Sequence, residues 1–189
     1  MKDFPSHDLE TAPEGSIPLL ENSQKAFGRL PGLHKVLAES PQAYEAYQLL
    51  HKLFTETAFD AEELTVVWQA INVEHACHYC VPAHTGIAKM MKVSDEISDA
   101  LRNETPLPTA KLEALRTFTV QMVRERGNVS GAQMQAFFDA GYGHRAVLDV
   151  ILGLAQKTMS NYTNHVAQTP VDEVFHPLLW ERSETHLSV

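Results

Sequence analysis

The sequence predicts an all-α fold, and three observations carry that prediction. No segment shows the period-two alternation of a half-buried strand. Apolar residues instead recur three and four positions apart along most of the chain. The glycines and prolines fall mostly between these periodic segments, where helices stop and start. With 189 residues, 44% of them hydrophobic, the chain can bury one sizeable core.

The elements follow in order. Ser16 can cap a helix running to about Phe27 and stopped by Gly28. Pro31–Gly32 breaks the chain before a short helix, LHKVLAE. Ser40–Pro41 pairs an N-cap with proline at the first helical position and opens a helix to about Thr57. Tyr44, Tyr47, Leu50 and Phe54 form its apolar stripe. Asp60, with Glu63 three residues on, nearly matches a capping box. The helix it opens carries Leu64, Val67, Trp68 and Ile71 and ends near Glu74–Ala76.

A further helix runs from about His78 to Met91, and Ser94 caps a short one. Pro106–Pro108 mark a loop before Thr109, which opens LEALRTFTVQMVRERG, closed by Gly127. Ser130 opens a short helix through Phe138, Gly141–Tyr142–Gly143 turns the chain, and a long helix runs from His144 to about Pro170. Residues 1–16 are expected to be an extension, 17–176 the helical domain, and 177–189 a loosely attached tail. Phe-Asp-Ala occurs at Phe59 and again at Phe138, each just before a helix, a hint of internal duplication.

The formal net charge is −9 and the sequence pI about 5.5. An acidic surface without a Lys/Arg cluster argues against nucleic-acid and membrane partners. The N-terminal segment has no apolar signal region, and no apolar run is long enough to span a bilayer. The expected location is cytoplasmic. A close cysteine pair there reads as redox chemistry or metal binding, not as a staple.

The only two cysteines, Cys77 and Cys80, lie in HACHYCVPAH with three of the ten histidines. Glu74, Cys77, Cys80 and His84 are spaced so that a helix would place them on one side. Pro82 fits only if the helix begins at the cysteines, with the proline in or just after the first turn. A thiol at a helix N-terminus sees the positive end of the macrodipole. At an ordinary pKa only ~3% is thiolate at pH 7, and a depression of about two units makes thiolate the majority form. His84, four residues after Cys80, can move its proton, and Glu74 is the nearest carboxylate in sequence to stand behind the imidazole.

Two other readings stay open. Cys77, Cys80, His84 and one of His75 or His78 could form a zinc-binding module. The pair could also serve a non-catalytic, redox-sensing oligomeric protein. Asn161, Asn164 and His165 form a polar patch on the long late helix, either a hydrogen-bonded seam or a pocket wall. Trp68, Tyr44 and Tyr47 read as core or interface residues.

Cys77-His-Tyr-Cys80-Val-Pro-Ala-His84 resembles the CxxCxxxH signature of the alkylhydroperoxidase D-like (carboxymuconolactone decarboxylase) superfamily. AFGRLPGLHKVLAESP and NYTNHVAQTPVDEVF resemble its peroxidase-related branch, so the likeness covers roughly 17–176. The resemblance implies an all-helical, AhpD-like bundle with the CxxC at the start of a central helix, assembled as a homo-oligomer. It implies thiol-dependent hydroperoxidase or disulfide-reductase chemistry in antioxidant defence, with no cofactor and no metal. A small hydroperoxide is the implied substrate and a dithiol protein the implied reductant. It makes Cys80 peroxidatic, Cys77 resolving and His84 part of the proton relay.

Two positions depart from the pattern. The relay glutamate twelve residues before the first cysteine is Thr65 here, with Glu62 and Glu63 nearby. The residue before the second cysteine is Tyr79 where the pattern has histidine. Glu74 is then the provisional relay carboxylate. The intact cysteine pair argues against lactone decarboxylation, which does not depend on it.

Overall fold

Short polar side chains start most of the helices. In the computed structural model, which describes residues 4–182, Ser40, Ser94 and Thr109 each accept a bond from the backbone N–H three residues on. Asp60 with Glu63 and Ser130 with Gln133 complete full capping boxes. The helices are α1 Ile17–Phe27, α2 Gly32–Leu37, α3 Pro41–Thr55, α4 Ala61–Glu74 and α5 Cys80–Met90. They continue with α6 Asp95–Arg102, α7 Ala110–Arg124, α8 Gly131–Asp139 and α9 His144–Ala167. Short 3-10 helices, Glu14–Ser16 and Glu173–Leu178, lie at either end, and the described residues contain no strand. Replacing Asp60 with alanine frees two N–H groups at the start of α4 and should cost about 1 kcal/mol in a urea melt.

Helix α4 is buried on all sides from Glu63 to Val73, which explains its unbroken apolar sequence. It packs against α5, α6, α7 and α9. The larger apolar cluster gathers Phe54, Val67, Trp68, Ile71, Leu115 and Phe118 around it. A smaller one joins Leu20, Leu33, Leu37, Tyr44 and Tyr47 to Cys77 and Cys80. Helix α9 comes close to α3 and α4 at Gly153, where a Cβ would stand 2.7 Å from the Phe54 ring and 2.9 Å from Val67. Gly153→Ala should therefore destabilise the protein by about 1–3 kcal/mol in chemical denaturation, since core side chains must move.

Three expectations are corrected. Ser16 does not cap α1; its hydroxyl donates to the Ala38 carbonyl at 2.7 Å and ties the N-terminal turn to the end of α2. The 1–16 segment is fastened again where the His7 N–H donates to the Lys35 carbonyl. The tail is held as far as it is described. Arg102 donates to the carbonyls of Leu178 and Leu179, both at 3.0 Å, and the Trp180 indole donates to the Arg102 carbonyl at 2.9 Å. The rest of the tail, 183–189, lies outside the described residues, as do residues 1–3. Finally, Phe59-Asp60-Ala61 opens α4 while Phe138-Asp139-Ala140 closes α8, so the repeated tripeptide marks no duplication. No described helix is long and apolar enough to cross a membrane.

Candidate active site

Helix α4 ends at Glu74, and the backbone then turns through a left-handed Ala76 at φ 50°. The turn closes when the Cys77 N–H donates to the Asn72 carbonyl at 2.9 Å. Helix α5 starts at Cys80, with Pro82 in its first turn, where a missing N–H costs nothing. The sulfur of Cys77 accepts the Cys80 N–H at 3.3 Å and so sits at the N-terminal end of α5. The sulfur of Cys80 accepts from the Asn164 amide at 3.2 Å.

One side chain in this site cannot be read from the motif. Lys157, only 1% exposed, enters from α9 and places its Nζ 2.8 Å from Nε2 of His84. Burial pushes its pKa down, and Cys80 and Cys77 pull it back up. Its charge acts on both neighbours. Burial, then Lys157 and His51, hold His84 well below the ordinary imidazole range, so His84 is neutral at pH 7. With the lysine donating to Nε2, the imidazole proton rests on Nδ1, a buried atom with no partner among the described residues.

The two thiols are pushed in opposite directions. Burial alone would raise Cys80. The hydrogen bond from the Cys77 thiol, the charge of Lys157 and the amides of Asn164 and Asn161 outweigh it and bring Cys80 down to about 6. Cys77 is held far above the ordinary thiol range by its bond to Cys80, by burial and by the charge next to it. The pair is thus divided, with ionisation favoured at Cys80 and disfavoured at Cys77.

A polar seam holds the site in place. Asn161 donates to Asn72 Oδ1 at 2.9 Å, and Asn72 donates to Gln69 Oε1 at 2.9 Å. Gln69 donates to the Val81 carbonyl and to Thr85, both at 3.1 Å, fixing the first turns of α5 against α4. Trp68 lies 4.9 Å from His84, ring to ring, and its indole donates to Gln156, one residue before Lys157.

Hydrogen bonds join Cys77, Cys80 and Asn164, and His84, one turn on from Cys80 in α5, is held by Lys157, whose charge also reaches both sulfurs. Glu74 does not join them. That carboxylate accepts from Arg124 at 2.8 and 2.9 Å and pairs with Arg182 at 3.8 Å, facing α7 instead of α5. The one-side count fails because α4 ends at Glu74 and the turn at Ala76 re-aims the chain. Nor does Glu62 or Glu63 reach His84: Glu62 is exposed, and Glu63 binds Lys111 at 2.8 Å and the Tyr142 hydroxyl at 3.1 Å. Thr65 spends its hydroxyl on the Ala61 carbonyl.

The histidines around the motif also turn away from the sulfurs. His75 bonds Asn161, and His78 bonds the Thr169 carbonyl. His165 lies on the rim and not on the buried stripe of Asn161 and Asn164. Among the described residues, no three His, Cys, Asp or Glu side chains converge as a metal-binding group.

No family model matches the chain, and no curated protein matches it. Solved structures do. An uncharacterized peroxidase-related protein from Ralstonia eutropha JMP134, described as an alkylhydroperoxidase AhpD core, superposes with a TM-score of 0.82 at 19% identity, over 92% of this chain and 93% of that one. The fold is AhpD-like. A peroxidase-related protein from Silicibacter sp. TM1040 gives 0.77 at 18% identity over 93% of both chains. The debrominase Bmp8, in complex with 2,3,4-tribromopyrrole, gives 0.77 at 14% identity, over 94% of this chain and 95% of that one. On this AhpD-like frame, Lys157 occupies the place beside His84 that sequence reasoning gave to a carboxylate. A signal for it existed: Lys157 falls on the same helical stripe as Gly153, Ser160, Asn161 and Asn164, all buried.

Proposed function

We propose that this protein is a thiol-dependent hydroperoxidase, an oxidoreductase that uses Cys80 as nucleophile, Cys77 as resolving thiol and Lys157–His84 as the proton-handling pair. The observation that carries the reading is the bonding of the pair: the Cys80 sulfur accepts the Asn164 amide and the Cys77 sulfur accepts the Cys80 N–H, an environment that lowers Cys80 and raises Cys77. A nucleophile and its resolving thiol need that division. The peroxidase-related names of two fold neighbours agree with it.

In the proposed cycle the Cys80 thiolate attacks one oxygen of ROOH and the O–O bond breaks. Sulfur takes up that oxygen as a sulfenic acid, and the departing RO⁻ takes a proton from Lys157, directly or through His84. The Cys77 thiol then condenses with the sulfenic acid, giving the Cys77–Cys80 disulfide and water. A dithiol protein restores the pair by exchange and leaves as its own disulfide. The unpartnered Nδ1 of His84 and Oδ1 of Asn164 are the buried polar groups left to bond a bound hydroperoxide.

One equivalent of hydrogen peroxide should remove two hydrogens from the protein mass and link the Cys77 and Cys80 peptides; an unlinked pair after complete peroxide consumption would refute the cycle. The rate of that oxidation should rise with pH and reach half its plateau near pH 6, because the reactive form is the thiolate. A rate flat from pH 5 to 8 would contradict the assignment.

The homo-oligomer belongs to the same proposal. Leu148, Ile151, Tyr162 and Val166, all at least 43% exposed, make one uncharged stripe along α9. An apolar face of that length is suited to a second copy of the chain. Sedimentation should show an assembly larger than a monomer, and Ile151→Glu with Tyr162→Glu should dissociate it.

A further inference from the structure

Neither sulfur is open to solvent: Cys77 is 0% and Cys80 2% exposed. Leu20 of α1, Leu33 and Leu37 of α2, and Phe175 of the last 3-10 turn belong to the apolar cluster that encloses them. This cover comes from two distant parts of the chain, and one carboxylate fastens both to the motif. Asp172 accepts from the Tyr79 hydroxyl at 2.8 Å, from the Arg29 guanidinium at 2.8 Å and from the Gly32 N–H at 2.9 Å. Tyr79 stands between the two cysteines in sequence, and its hydroxyl also accepts the Leu33 N–H at 3.2 Å.

A second fastening lies beside the first. The Phe175 ring seats on α5 where Gly86 has no side chain; a Cβ there would fall within 2.5 Å of the ring. The Arg29 guanidinium lies over the same ring, 5.1 Å from its centre. Asp172 and Phe175 thus belong to one short segment that pins α2 and the loop before it over the pair.

We propose that this Asp172 clasp is a size filter, so that Cys80 accepts small hydroperoxides and excludes bulky ones unless the clasp opens. The substrate half rests on the hydroperoxidase reading; the access half does not. A bulky molecule needs a wider opening of the 29–37 and 169–178 segments than a small one, and the population of that opening is set by the bonds that hold it shut. Removing the bonds of one carboxylate should raise it about tenfold or more.

The test compares N-ethylmaleimide with N-pyrenylmaleimide, which share a reactive group and differ in size. Modification of Cys80 is followed by peptide mass spectrometry and divided by the rate with glutathione at the same pH. The intact protein should favour the small reagent strongly, and Asp172→Ala should reduce that preference about tenfold. Phe175→Ala and Arg29→Gln should move it the same way, and they decide the matter if Asp172→Ala does not fold. A preference equal to that of glutathione in the intact protein, or one unchanged in folded variants, would overturn the filter. Hydrogen peroxide and cumene hydroperoxide are compared in parallel, and the clasp variants should gain mainly with cumene hydroperoxide. If neither peroxide is turned over while the maleimide preference collapses, the hydroperoxidase reading fails and the access filter stands.

Discussion

Replacing Cys80 with serine should lower hydroperoxide turnover by roughly 10³-fold or more, the scale seen when a nucleophile is removed and binding alone remains. The Cys80 sulfur accepts the Asn164 amide and feels the charge of the buried Lys157 ammonium. A serine hydroxyl there stays protonated and cannot attack the O–O bond. Cys77→Ser should behave differently: the first peroxide should still be consumed and leave a trappable sulfenic acid, while repeated turnover stops. Coupled peroxide assays with a dithiol reductant separate the two variants. Full turnover by the Cys80 variant would remove the nucleophile assignment.

Lys157→Met should have the second largest effect, and its sign can be worked out. With Cys80 near 6, about nine-tenths of it is thiolate at pH 7. Were its pKa to return to the ordinary value near 8.5, the fraction would be ~3%, a loss of about 30-fold in rate at pH 7 from ionisation alone, to which the missing proton donor to the departing alkoxide adds. The loss should shrink as the pH rises, because hydroxide then supplies the ionisation that the lysine no longer does. The pH profile therefore moves to higher pH instead of only falling in height. Stability should stay level or increase, since methionine has no charge to desolvate where lysine is 1% exposed. A variant with less activity at neutral pH and an undiminished melting temperature would separate the role of this residue from simple packing.

Much of the fold was legible because its signals are local. Ser40, Asp60, Ser94, Thr109 and Ser130 close helix starts through bonds two or three residues long, so sequence spacing suffices to find them. Cys77, Cys80 and His84 lie within one turn and a helix start for the same reason. The misreadings at the site are tertiary. Glu74 looked close in sequence, but the chain reverses at Ala76 and hands it to Arg124. Lys157 lies 73 positions from its partner His84, and only the packing of α9 on α5 joins them. Asp172 is farther still from Gly32, 140 positions along the chain.

The thiol environment also shows why the motif alone underdetermines the chemistry. A cysteine at a helix start gains from the dipole, yet burial works against ionisation, and in Cys80 it is the largest single influence. The balance is tipped by groups from α9, namely Lys157, Asn161 and Asn164, together with the Cys77 thiol. A chain with the same CxxCxxxH and an apolar residue at 157 would hold a far less reactive pair.

Cys80, and not Cys77, should be the ionised nucleophile at neutral pH. The most direct measurement is the pH dependence of alkylation by iodoacetamide, with each cysteine followed separately by peptide mass spectrometry. Cys80 should reach half its limiting rate near pH 6, with Cys77 unreactive across the same range. A midpoint for Cys80 near the ordinary thiol value of about 8.5, or preferential alkylation of Cys77, would show that Cys80 is not the ionised nucleophile.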